Sequence, residues 1–193
     1  MDLLGHNRQM ARNNLWSNDR LCRAVFSLQP GEFEAKRTSF FPSIKGTLNH
    51  ILSVDLFYLD MMEEGGLGLG IFDRFTEFDD PRRLAQAQAD FDRRLIAFCD
   101  RLSNADLDRR VVSDRGKEGK IPERIGDLHA HLFLHDIHHR GQVHAMLAGT
   151  PVKPPQLDEF FCANEAHLRA SELAELGLSE QRIWELPARA DAA

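Results

Sequence analysis

The sequence predicts an all-α fold: a four-helix bundle with additional terminal helices and, between the third and fourth long helices, a short hairpin or irregular loop. Three observations predict it. Four long stretches repeat apolar residues at three- and four-residue steps, the period of a helix that buries one side. Prolines and glycine clusters at 30–31, 65–70, 116–119 and 149–155 separate those stretches. Six of the nine histidines fall between 129 and 144, within the last stretch, where a helix can gather imidazoles on one face.

In the first helix Ala11, Leu15, Asn18, Cys22 and Val25 form the inward stripe, and Gln29, Pro30 and Gly31 end it. Asn18, the polar exception, reads as a satisfied core amide. The second helix begins near Pro42 and Ser43 and runs to Glu63 or Glu64, where GGLGLG stops it. Ile44, Leu48, Ile51, Leu52, Leu59 and Met62 make one apolar band, and His50, Val54, Phe57 and Met61 a second. A helix apolar on two sides is largely buried, so His50 faces protein and its imidazole needs a partner. Asp55 reads as the partner of an arginine rather than as a group that orients an imidazole. GGLGLG lacks the strand and helix context of a dinucleotide loop and reads as a mobile turn.

Pro81 opens the third helix, whose stripe of Leu84, Ala87, Phe91, Leu95, Phe98 and Leu102 is core. Residues 110–121, RVVSDRGKEGKI, hold two short β-prone edges around Gly116 and Gly119 and form the hairpin or loop. Pro122 suits the first position of the fourth helix, with Glu123 in its positive first turn. That helix turns Leu128, Leu132, His135, His139, Gln142 and Met146 inward and stops at Gly149 and Pro151. Leu157 to Ala174 and Ser179 to Trp184 supply the terminal helices. Residues 1–186 read as a single domain and 187–193 as a disordered tail.

Composition bounds the function. A chain of 193 residues, 42% hydrophobic, buries one sizeable core. No uncharged apolar run reaches the roughly 18 residues that span a bilayer, and the start, MDLLGHNRQMARNN, lacks the apolar centre of a signal peptide. The expectation is cytoplasmic residence with no membrane partner. With 24 basic and 30 acidic side chains the net charge is −6, and the arginine pairs at 82/83, 93/94 and 109/110 are interleaved with aspartates. A nucleic-acid partner is not expected, because such binders carry a basic surface. Cys22, Cys99 and Cys162 are odd in number and far apart, which suggests neither a disulfide framework nor a thiolate metal site. No serine or cysteine nucleophile with a nearby base, phosphate-cradling loop or carboxylate pair stands out.

The histidines carry the chemistry, but spacing alone does not choose among them. His131 with His135 is as good a four-residue step as His135 with His139. At about 100° per residue His131, His138, His139 and Gln142 all lie within roughly 60° of His135, while His129 and His144 point away.

The surrounding residues narrow the choice. His135 to Leu147, HDIHHRGQVHAML, resembles the signature of the DinB family of damage-inducible, YfiT-like metal-dependent proteins, and Thr47 to Leu59, TLNHILSVDLFYL, resembles that family's first metal-bearing helix. The order of the motifs and the late PPQLDEFF stretch fit as well, so the resemblance covers roughly residues 1–165. It implies a DinB/YfiT-like bundle of up-down-down-up topology, a homodimer, and His50, His135 and His139 as ligands of one divalent metal ion. Zinc or nickel is expected.

Three protein ligands leave a coordination position open, where a bound water or thiol becomes more acidic. The expectation is a metal-dependent enzyme that activates a low-molecular-weight thiol or water against a small-molecule substrate, a thiol transferase or a hydrolase. The alternative is a non-catalytic, dimeric metal-binding stress protein. Gln142, one turn beyond His139, reads as a hydrogen-bond partner of a metal-bound water, and Arg140 as an anchor for the helix exterior or a partner chain.

Overall fold

The computed structural model describes residues 2–184, so the expected tail at 187–193 and the last two residues of the expected domain lie outside the described residues. The elements in order are α1 (Leu3–Val25), α2 (Ile44–Met62), α3 (Gly70–Arg74), α4 (Pro81–Arg101), α5 (Asn104–Asp108), β1 (Arg110–Asp114), β2 (Lys120–Arg124), α6 (Ile125–Leu147), α7 (Ala166–Glu175) and α8 (Glu180–Trp184). A 3-10 turn, Gly116–Glu118, joins the two strands, and two more precede α7.

The helix starts follow from local chemistry. Asp2 and Ser43 cap α1 and α2 by accepting from the backbone N–H of Gly5 and Gly46, and Asp80 caps α4 with Pro81 in its first turn. Beyond α2 the glycine run is a turn, but a pinned one. Asp60 accepts from the N–H groups of Leu67 (3.0 Å) and Gly68 (2.9 Å), while Gly66 and Gly68 take the positive φ that the path requires.

α1, α4, α2 and α6 form the bundle in that order around its axis. The pairings fix the directions. Arg8 near the start of α1 donates to the carbonyls of Asp100 and Leu102 at the end of α4, whereas Asn18 reaches Asp92, so α1 and α4 are antiparallel. His50 meets His135 and Tyr58 meets His131, so α2 and α6 are antiparallel too. Asn7 lies by His129, and Asn18 by Arg140, which makes α1 and α6 parallel. The topology is therefore up-down-down-up. α2 is the most enclosed helix: both of its bands are buried except for half-buried His50, with Ile44, Ile51, Leu59 and Met62 fully so.

Two expected boundaries shift. Pro122 does not open the last long helix; it pairs with Val112 in an antiparallel hairpin. Hydrogen bonds from Arg115 N to Gly119 O and from Ile125 N to Arg109 O bracket the ladder. Alternation between them makes Val112/Pro122 a non-hydrogen-bonded pair, so the missing N–H of proline faces outward at no cost. The segment from Leu157 is also not one helix. It passes through 3-10 turns at Glu159–Phe161 and Ala163–Glu165 before α7 begins. Fully buried Arg169 holds this bend, donating to the carbonyls of Glu159 (2.8 Å) and Cys162 (3.1 Å) and to the carboxylate of Glu180.

This terminal layer packs on α1. Trp16 and Phe160 are buried against each other, the indole N–H donates to Glu172 (2.7 Å), and Arg20 pairs with Glu172 and Glu159. Trp16 and Phe160 thus belong to the chain's own interior, while Phe161 beside them is 41% exposed. Among the described residues no helix is long and apolar enough to cross a membrane.

Candidate metal centre

The antiparallel contact of α2 and α6 brings His50, His135 and His139 together, with one ligand atom from each within 4.8 Å of the others. His50 Nε2 and His135 Nε2 are 3.0 Å apart. Two nitrogens each about 2.0–2.1 Å from a shared ion subtend about that distance, so the separation fits a pair of metal ligands. His139 is oriented from behind. Its Nδ1 lies 2.8 Å from Gln142 Oε1, so an Nδ1–H donates there and the Nε2 lone pair is left for the cluster. Gln142 is therefore committed to His139, and through its amide nitrogen to His138 Nε2 at 3.0 Å, rather than free for a bound water.

The cluster is half-buried and apolar on one side. Phe41 stacks on His50 with ring centroids 4.1 Å apart and lies 5.6 Å from His139, while Phe40 beside it is 80% exposed. Burial, then the neighbouring His135 and His139, pushes the pKa of His50 down to about 4. Burial likewise lowers that of His139, against the raising effect of Gln142. Both imidazoles are held neutral, the form that binds a metal.

The other histidines take other places. His131 packs on Tyr58 with centroids 4.7 Å apart and stays outside the ligand group. His144 meets the Pro155 carbonyl at 3.1 Å. His129 points away from the centre, as its spacing predicts, but it enters a constellation not legible in the sequence. Its Nε2 lies 3.6 Å from Cys99 Sγ and its Nδ1 3.3 Å from Asn7 Nδ2. This is the composition of a cysteine protease triad, and burial disarms it. Cys99 and His129 have no exposure, the thiol is pushed up to about 12 and the imidazole down to about 4. The thiolate that attacks is not formed, and no substrate reaches the sulfur.

A buried polar layer crosses the bundle beside the centre, and here three expectations are corrected. Arg140 does not anchor the exterior; it is 4% exposed and donates to Asn14 and to Asn18 (3.0 Å). Asp55 has no arginine; it accepts from Gln88 (2.7 Å) and faces Asp136. A carboxylate pair therefore exists. It is spread over α2 and α6, and Asp136 Oδ1 lies 3.6 Å from His135 Nδ1. Asp92 accepts from Asn14 (3.1 Å) and Asn18 (3.0 Å), and Asn18 is the satisfied core amide that the stripe predicts. Burial, then the charge of Asp136, holds the Asp55 carboxyl well above the ordinary carboxylate range, and burial raises Asp92 to about 7.

A cleft of about 440 Å³ lies elsewhere, between α1, α6 and residues 156–161. Arg140, His144 and Phe160 help to line it, and no ligand histidine does.

Comparison with known proteins gives one consistent family. The DinB family pattern matches residues 3–172. The protein named DinB of Bacillus subtilis (strain 168) is 23% identical over 139 residues, covering 69% of this chain and 80% of that protein. The crystal structure of a DinB-like protein, YjoA, also from Bacillus subtilis, superposes with a TM-score of 0.55 at 16% identity. The match covers 77% of this chain and 99% of that one, and at this identity it speaks for the fold.

Proposed function

Because the chain belongs to the DinB family, and because three imidazoles converge in one half-buried cluster, we propose that it is a metal-dependent enzyme acting on a small molecule with a low-molecular-weight thiol or water as co-reactant. The observation that carries this reading is the convergence of His50, His135 and His139, with two Nε2 atoms 3.0 Å apart and no fourth protein ligand in the group.

The donor set suits zinc or nickel. A divalent ion held by three ligands supplies Lewis acidity, lowering the pKa of a thiol or water that reaches the open position. The chain's own residues do the rest. Gln142 fixes the tautomer of His139, and Phe41 packs on the face of His50. Exposed Phe40, next to Phe41, offers an apolar surface for the organic part of a thiol or an electrophile.

Cobalt-substituted protein tests the proposal. Its visible spectrum should change on addition of cysteine, glutathione or another cellular thiol, and a rate assay with an epoxide or an activated halogenated aromatic should run above the metal-free background. His139→Ala should abolish both signals. Metal retained without any thiol response or reaction would leave a non-catalytic metal-binding protein as the function.

A further inference from the structure

We propose that Asp136, with Asp55 behind it, positions His135 for the divalent ion, acting through the Nδ1 edge of the imidazole; the inference rests on the metal reading above. Asp55 and Asp136 have no exposure; their carboxyls face each other, and beyond that contact Asp55 Oδ1, both oxygens of Asp136 and His135 Nδ1 have no hydrogen-bond partner. Ligand atoms of Asp55, Asp136 and His135 lie within 4.8 Å of one another, so these unsatisfied groups share one place. Buried acceptors left without donors lose their hydration with nothing to replace it, and the loss is greater when they are charged.

The missing donor is on the page. A neutral imidazole has one N–H and one lone pair. When His135 turns its Nε2 lone pair toward the shared ion, its hydrogen must sit on Nδ1, facing Asp136 Oδ1 at 3.6 Å. In the other tautomer Asp136 faces a lone pair. An ion on the Nε2 side therefore selects the tautomer that satisfies Asp136, and Asp136 in turn holds the ring in the ligating form.

The supply of donors points the same way. Asp55, Asp92 and Asp136 are buried in one layer. Asp92 is well supplied with amide donors, Asp55 has one, and Asp136 has none, so the least satisfied acceptor of the layer is the one next to His135.

The test measures zinc affinity by chelator competition, and melting with and without zinc, for wild type, Asp136→Asn, Asp55→Asn and His135→Ala. Both asparagine variants should keep about one ion per chain but bind it about 10–100-fold more weakly. Their metal-free forms should melt no lower than metal-free wild type, because an amide brings its own donor to the carboxyl it faces. A residue needed only for folding would lower both melting points and leave affinity alone, and that result overturns the proposal. So does a wild type that binds two ions and loses one in Asp136→Asn, which would place a second cation on the carboxylates. His135→Ala separates the underlying reading: zinc retained at wild-type affinity there refutes the three-histidine centre itself, whatever the asparagine variants do.

Discussion

Acidification should destabilise this protein through a histidine that binds no metal. His129 has no exposure, and burial alone takes its pKa from the ordinary 6.5 down to about 4. The unfolded chain takes up a proton at this side chain below about pH 6.5, and the folded chain does not until about pH 4. The unfolded state therefore binds more protons across that window, so stability is complete above pH 6.5 and is lost as pH falls toward 4. At about 1.4 kcal/mol per unit, the window is worth about 3 kcal/mol, a large fraction of the 5–15 kcal/mol typical of a domain. Urea denaturation from pH 7.5 to 4 measures it, on wild type and His129→Gln, both stripped by chelator so that loss of metal does not contribute. Asp92, raised to about 7, has the opposite sign, and like His50 it is present in both proteins and cancels in the difference. The wild-type curve should fall more steeply, by about 3 kcal/mol over the window. Parallel curves would refute the reasoning and mean that His129 is protonated within the folded bundle.

Two further outcomes follow from the centre and from the surface. Elemental analysis should find about one divalent ion per chain, lost on alanine substitution of His50, His135 or His139 and kept in His131→Ala and His144→Ala; retention in His135→Ala would remove that residue from the ligand set. Light scattering at micromolar concentration should give about twice the 22.0 kDa chain mass, and Leu134→Lys with Ile137→Lys should restore the monomer, since these two residues of α6 are 67% and 49% exposed. A monomeric wild type would refute the dimer.

Much of the secondary structure is written locally. Ser43, Asp80 and Pro81 mark their helix starts because a cap bonds backbone groups two or three residues away, and that chemistry needs no tertiary partner. The candidate ligand histidines are legible for a related reason. A four-residue step puts His135 and His139 on one face whatever the rest of the chain does, and the wording around them and around His50 resembles one family.

Where the chain has two local solutions, or where a partner comes from another helix, the sequence is silent. Pro122 fits a helix start as well as a strand; the hairpin pairing to Val112 chose the strand. Asp55 and Asp136 are 81 positions apart by their numbers in the sequence, and only the antiparallel register of α2 against α6 sets one carboxyl before the other. Arg140 reads as an anchor for the helix exterior or a partner chain until parallel α1 presents Asn14 and Asn18 to it. Nothing in the sequence links Cys99 to His129, which only points away from the histidine stripe, until α4 and α6 enclose both. The sequence by itself determined the helices, their caps and the face that carries the candidate ligand histidines, because helical period and capping act over a few residues. Which buried groups meet, and hence which carboxyls stand behind His135, was decided only by how four helices are rotated and staggered against one another.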